Sequence, residues 1–258
     1  MMSTSLTSHD IFSRNELLLG TDILAAIGRV RVAVFGVGGV GSWCAEGLVR
    51  SGVMELTIVD CDRICPSNIN RQLMATTNTV GRLKVEALKE RLLSINPEAH
   101  ITALPQLFCE ETAADFFPDD VDNRHYDYVI DAIDSLKDKA LLILKATQSG
   151  ATLFSSMGAA LKLDSTRIRV AEFWKVQGDP LARCLRKKFK HMGLFPTKKF
   201  LCVYSDELLS NQPSSEIEAE ESTMIVKAQT NGSLVHITAI VGFTLSGLLV
   251  QNVCAKYA

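Results

Sequence analysis

Short apolar blocks alternate with segments of helical periodicity along most of this chain. Residues 32–35 (VAVF) form an unbroken apolar run followed at once by glycines, and residues 56–59 repeat the pattern after a helical stretch. Residues 79–95 place Val80, Leu83, Ala87, Leu88, Leu92 and Ile95 on one side at helical spacing, and Asn96-Pro97 stops them. A short strand is predicted over 101–104, a short helix over 110–116, a buried strand over 126–133 and a helix over 136–148. Another strand is predicted over 151–155. Strand and helix in alternation imply a doubly wound, mostly parallel α/β sheet. Ahead of it, residues 11–27 read as one helix, with Leu17, Leu18, Leu24 and Ile27 apolar. The chain thus divides into an N-terminal helical arm (1–28), a core (29–160) and a C-terminal part (161–258) of the same domain. The arm is expected to pack across a neighbour rather than into its own sheet, and the first ten residues to be disordered.

The second half changes character. Residues 167–173 alternate as a strand, and Asp179-Pro180 supplies an N-cap and a first-turn proline to a helix over 179–191. Arg183, Arg186, Lys187, Lys188, Lys190, Lys198 and Lys199 then follow with no acid among them. Residues 205–222, with six acids and little apolar content, read as a mobile loop. Residues 233–253 are apolar and lack Lys, Arg, Asp and Glu, which is long enough to span a bilayer. His236, Thr238, Gln251 and Asn252 within it favour a core or dimer-interface helix instead.

Composition narrows the class. With 258 residues, 47% hydrophobic and 22% charged, this is an ordinary globular chain. A net charge of −2 argues against coating nucleic acid over the whole surface and leaves room for a local basic patch. Seven cysteines include no C-x-x-C pair, so the ligand spacing of a structural zinc site is missing. An odd count without a signal peptide points to free thiols in a reducing cytoplasm. Cys202, in a β-rich run, reads as a core thiol.

Candidate chemistry begins where the first strand ends. Gly36, Gly38 and Gly41 make G-x-G-x-x-G, with Gly39 between them, at the position of a phosphate-binding turn. Asp60 closes the second strand about twenty residues on, where it can accept ribose hydrogen bonds. A Rossmann-like dinucleotide site would stop there. Here Asn68, Asn70 and Arg71 follow closely, Lys84 lies just beyond, and Asp134 ends a later strand. Cations suit an enzyme that puts a carboxylate on the α-phosphate of ATP, because charge accumulates on the phosphate oxygens. Asp134 could hold Mg²⁺ on the triphosphate. Asp131, nearby, reads as a residue that orients the strand end.

GVGGVG, VDCD, SNINRQ, VGRLKVE, INPE and DAIDS, in this order and spacing, resemble the ubiquitin-activating-type adenylating enzymes. The DPLARCLR and CVYSDE segments, with no zinc cysteines, resemble the branch that dehydrates threonylcarbamoyladenosine in tRNA. The resemblance covers nearly the whole chain. It implies that Gly39 and its neighbours approach the phosphates, that Asp60 binds the ribose, that Asn70 and Arg71 contact the phosphates, and that Asp62 and Asn68 also belong to the nucleotide site. Lys84 would be the main cation on the reacting centre, and Asp134 the Mg²⁺ ligand. Arg14 would be inserted by one protomer of a homodimer into its partner's site. The implied substrates are ATP and tRNA, the latter held by the basic run, with His191, Phe189 and Phe195 as candidate stacking rings. A cysteine desulfurase or sulfur-acceptor partner and a monovalent cation are also implied, and no spacing places either. Adenylation of a ubiquitin-like sulfur-carrier protein is the alternative, and an NAD-dependent oxidoreductase rests on the glycine turn alone.

Overall fold

A strand covered by helices on both sides must be apolar on both faces, and the central strands of this chain are. The computed structural model describes residues 8–118, 126–212 and 231–257. Its strands are β1 (Arg31–Phe35), β2 (Glu55–Val59), β3 (His100–Leu104), β4 (Tyr128–Asp131), β5 (Thr152–Ser156), β6 (Ile168–Glu172) and β7 (Leu201–Ser205). They form one sheet in the order β3-β2-β1-β4-β5-β7-β6. All neighbours run parallel except β6, which lies antiparallel to β7 with Ile168 opposite Ser205. The chain leaves β1 towards β3, then returns to begin again at β4. The crevice between the ends of β1 and β4 is therefore the switch point at which such sheets take ligands.

The helices are α1 (Ser8–Leu19), α2 (Thr21–Arg29), α3 (Gly41–Arg50), α4 (Lys84–Ile95), α5 (Ala113–Phe116), α6 (Leu136–Gln148), α7 (Pro180–Met192) and α8 (Val235–Tyr257). One face of the sheet is buried under α2, α3, α4 and α8, the other under α5, α6 and α7. On the second face Phe35 meets Phe108, Phe116 and Phe117 with ring centroids 5.1, 5.2 and 5.8 Å apart. The doubly wound α/β fold is as expected, and strands from both halves of the chain share its one sheet.

Several local expectations need correction. The helix read over 11–27 is two helices, because Gly20 sits at φ +81° and breaks it. The second of them buries Ala26 and Ile27 in the chain's own core, while Leu17 and Leu18 of α1 stay exposed. The helix read from residue 79 begins only at Lys84: Gly81 takes φ +85°, Thr79 Oγ1 accepts from Thr76 N, and Val80 stays exposed. Apolar periodicity continues through these turns, but backbone hydrogen bonding does not. The 126–133 strand likewise shortens to four residues, and the 110–116 helix to α5. The first seven residues, and all of the acidic loop beyond residue 212, lie outside the described residues.

Among the described residues α8 alone is long and apolar enough to cross a membrane, yet half of its apolar window is buried inside the protein. It packs on α3 at backbone distance. A Cβ added to Gly242 would fall 2.5 Å from the Val40 carbonyl oxygen, and one on Gly47 2.4 Å from Ser246 Oγ. These small residues serve a helix crossing, as expected of a core helix.

Candidate active site

At the end of β1 the backbone turns through Gly36 at φ +81°, where a Cβ would strike the Ala132 carbonyl oxygen at 2.7 Å. Gly41, which opens α3, is more constrained still: its Cβ would stand 1.8 Å from Gly36 O. Gly38 has only the Gln72 amide within reach, at 3.7 Å, and Gly39 lies between Thr238 and Arg71. The turn thus brings bare backbone to the start of a helix, an arrangement suited to anions.

Asp60 is tied into this turn. Its Oδ2 accepts Val37 N at 2.9 Å and its Oδ1 accepts Asp62 N at 2.9 Å. Burial pushes its carboxyl above the ordinary range, against the pull of Lys84 and those two N–H groups. Lys84 is buried at the first position of α4, its N–H bonded to Asp62 O at 3.0 Å. Its ammonium donates to Asp62 Oδ2 at 2.6 Å and stands 3.7 Å from Asp60 Oδ1. Burial alone would lower Lys84, but Asp60, Asp62 and Asp134 outweigh it and hold the group above its usual value. Lys84 is therefore a fixed cation at neutral pH, facing three carboxylates from two loops. Asp134 is exposed on the turn after β4, so β2 and β4 deliver their acids to the same crevice.

The loop after β2 supplies the other groups. Arg71 Nη1 donates to Ser67 O at 2.8 Å and to Asn70 Oδ1 at 2.9 Å, leaving the rest of the guanidinium available. Asn70 Nδ2 donates to Ser233 O at 3.0 Å, which links this loop to the residues before α8. Asn68 Oδ1 accepts Cys65 N at 3.1 Å and so shapes its own turn. Gln72 ends the SNINRQ motif, from which no role could be read for it. It is buried beside Gly38, and its side-chain oxygen has no partner among the described residues. Its place after Asn70-Arg71 was the one signal for it.

Other candidates lie apart. Arg14 is exposed on α1, and its neighbour Asn15 donates to Arg50 O at the far end of α3. Within one chain Arg14 is thus at the opposite end of the sheet from the glycine turn. Cys202 is fully buried in β7, where burial pushes its thiol well above the usual range. Asp131 is buried beneath the turn that carries Asp134 and does not face the crevice.

The basic run lies along α7 and the segment leading to β7. Asp179 caps α7 through Ala182 N at 2.8 Å and accepts Gly158 N at 3.1 Å, fixing the helix start beside the crevice end of β5. Thr197 Oγ1 donates to Thr147 O at 2.6 Å near the end of α6, so the run continues to the opposite end. Arg183, Lys187, Lys190, Lys198 and Lys199 are exposed. Arg186 is half-buried and donates to Phe173 O at 3.1 Å, 5.9 Å above the Phe173 ring. Of the candidate stacking rings, Phe189 is in the core, whereas His191 and Phe195 are exposed.

Residues 12–256 match the ThiF family. The chain is 37% identical over 244 residues to a Bacillus subtilis tRNA threonylcarbamoyladenosine dehydratase, covering 93% of each sequence. A solved structure of the Escherichia coli tRNA N6-threonylcarbamoyladenosine dehydratase in complex with ATP superimposes with a TM-score of 0.83 at 31% identity. It covers 99% of this chain and 98% of that one. Similarity to the Escherichia coli molybdopterin-synthase adenylyltransferase is lower, 29% over 71% of this chain and 70% of that relative.

Proposed function

The chain belongs to the ThiF family, and from that premise we propose that it is the ATP-dependent dehydratase of threonylcarbamoyladenosine in tRNA. The observation that carries the reading is the Lys84 ammonium, buried at the mouth of the β1–β4 switch point with Asp60, Asp62 and Asp134 around it. An oxidoreductase reading ribose alone would have no use for that cation or for Arg71 beside it. The similarity to dehydratases spans nearly the full length of both chains, which disfavours a sulfur-carrier protein as substrate.

In the first step a carboxylate oxygen of the threonyl group attacks the α-phosphorus of ATP, and the bond to pyrophosphate breaks. Lys84 and Arg71 sit where negative charge gathers on the phosphoryl oxygens, with the glycine-turn N–H groups at Gly38 and Gly39 as further donors. Asp60 and Asp62 hold the ribose side, and Asn68 and Asn70 shape the phosphate loop. In the second step an internal nitrogen attacks the activated carbonyl carbon and AMP leaves. The net loss is one water. Because the attacking group belongs to the substrate, no enzyme nucleophile is required, and Cys202 has no part.

Mg²⁺ fits this site in one particular way. Among the described residues no three His, Cys, Asp or Glu side chains are grouped to hold a metal, so they form no protein cage. Asp134, an exposed carboxylate at the crevice, would suit a metal that arrives with its nucleotide and takes most of its ligands from phosphate and water. Bound there, Mg²⁺ would neutralise phosphate charge.

Arg14 completes the site only from a second copy, so the working form is a homodimer, and the exposed cations of α7 take the tRNA backbone. Mass analysis of tRNA nucleosides after incubation with ATP and Mg²⁺ tests the reading. The threonylcarbamoyl nucleoside is expected to lose one water, and Lys84→Ala to abolish the loss. Mixing Lys84→Ala chains with Arg14→Ala chains should restore part of the activity, since one composite site is then whole. Pyrophosphate release with a carrier protein and none with tRNA would overturn the substrate. Failure of the mixture would remove the shared site.

A further inference from the structure

A lysine and an aspartate, each with 0% of its surface exposed, face one another beneath the turn after β4. Lys139 Nζ, in the first turns of α6, stands 2.9 Å from Asp131 Oδ2. The same ammonium donates to Ile133 O at 2.9 Å, and Asp131 Oδ1 accepts Ile133 N at 3.2 Å. Ser155 Oγ, on the neighbouring strand, donates to Asp131 Oδ2 at 2.6 Å. The apolar cluster on this face of the sheet includes the Cys202 thiol of β7, which senses both charges as well as Glu172 and Asp179.

Such a pair is weak as a stability device. Two charges removed from water lose hydration that their attraction only partly returns, and apolar groups of the same size often do as well or better. What the pair does achieve is geometric. Both hydrogen-bonding groups of the Ile133 backbone are claimed by it, one on each side, so the peptide just before Asp134 is gripped. Ala132, on the same turn, donates to Phe35 O at 2.9 Å and is the residue against which Gly36 and Gly41 close. The turn therefore touches both the glycine turn and the carboxylate that faces Lys84.

We propose that Asp131, Lys139 and Ser155 form a buried positioning clasp, which sets the 132–135 turn and with it the reach of Asp134 over the nucleotide. None of the three touches substrate; they act through Asp134 and the Ala132 wall. The inference rests on the role assigned to Asp134 above. A displacement of about 1 Å at a reacting group costs on the order of a hundredfold in rate, so loss of the clasp is expected to appear in kcat rather than in folding.

The discriminating variant is the double change Asp131→Asn with Lys139→Met, which removes both charges and leaves no ion unpaired. It is expected to melt within a few degrees of the parent and to keep its KM for ATP within about threefold. Its kcat for tRNA-dependent pyrophosphate release is expected to fall at least tenfold. Direct titration of the nucleotide should show that Mg²⁺ no longer strengthens ATP binding as it does in the parent. A stable double variant with parental kcat and parental Mg²⁺ dependence would overturn the clasp. Ser155→Ala, which removes one hydrogen bond and no charge, keeps the question open to decision if the double variant does not fold. A several-fold lower kcat at unchanged melting temperature supports the proposal there, and parental kcat sinks it. Asp134→Ala separates the two readings, because parental activity in that variant removes the role of Asp134 itself.

Discussion

Lys84 shows how a single residue can be legible in sequence and still be misplaced. Its type and its distance from Asn70-Arg71 suggest a cation for phosphate, but the apolar stripe over 79–95 puts it inside a helix. In the structure Gly81 and Thr79 break that stripe into turns, and Lys84 becomes the first residue of α4. There its side chain points back into the crevice, as a first-turn residue can and a mid-helix residue facing the core cannot. Cys202 is the opposite case. A β-rich setting already suggests a core thiol, and complete burial with a raised pKa leaves it neither accessible nor ionised at neutral pH. Cys202→Ala is accordingly expected to keep at least half of parental activity. It should cost about 1 kcal/mol of stability, the scale of a small core truncation. A loss of activity exceeding tenfold in a folded protein would restore a covalent role.

At the scale of elements, α3 is held from two sides. Gly47 admits Ser246, and Gly242 admits Val40 and Cys44, which lets α8 lie against α3 at backbone contact. On its other flank the buried Glu46 of α3 accepts Arg91 of α4 at 2.9 and 3.0 Å, and Arg50 at 2.8 Å. Burial alone would raise Glu46, but the two arginines outweigh it and leave its carboxyl below the ordinary 4.5. A lowered folded-state pKa means the unfolded chain binds more protons. The contribution is therefore complete above about pH 4.5 and is lost as pH falls through the folded value. Glu46→Gln should lower stability at pH 7 and flatten the decline below pH 4.5. Parallel melting curves against pH for the two proteins would refute the coupling. Since α3 begins at the glycine turn, this bridge fixes the element whose N-terminal N–H groups the proposed function aims at phosphate.

For the whole molecule, the decisive arrangement is the basic stripe relative to the crevice. The helix α7 starts beside the end of β5 and runs about 20 Å down the sheet edge, and Lys198 and Lys199 extend it. A stripe that starts at the reactive end and leads away suits an elongated polyanion whose tip is being modified. Sequence suggests Arg186 as part of the tRNA contact, but its bond to Phe173 O makes it a fixture of the fold. Reversing Arg183, Lys187 and Lys190 to Glu should therefore weaken tRNA binding at least tenfold. It should also reduce the salt slope by about three phosphate contacts and leave ATP affinity within twofold. Unchanged tRNA affinity and salt slope would exclude this edge.

The alternation of apolar runs and helical stripes determined the α/β class, because burial on both faces leaves a strand no other composition. Glycine spacing, with Asp60, Asn70, Arg71, Lys84 and Asp134, likewise made a nucleotide site the expectation, and the fold gathers the glycine turn, Asp60, Lys84 and Asp134 around one crevice. Periodicity could not place the break at Gly20 or the true start of α4. Local backbone conformation decided both, against a hydrophobic pattern that ran on unchanged. Nor could it show that Asp131 and Lys139 meet. They lie on different elements, and only the packing of α6 onto the sheet joins them in a space that water does not reach. The glycine turn, likewise, becomes a site only when the switch point brings Asp134 from beyond β4 to face the lysine that opens α4.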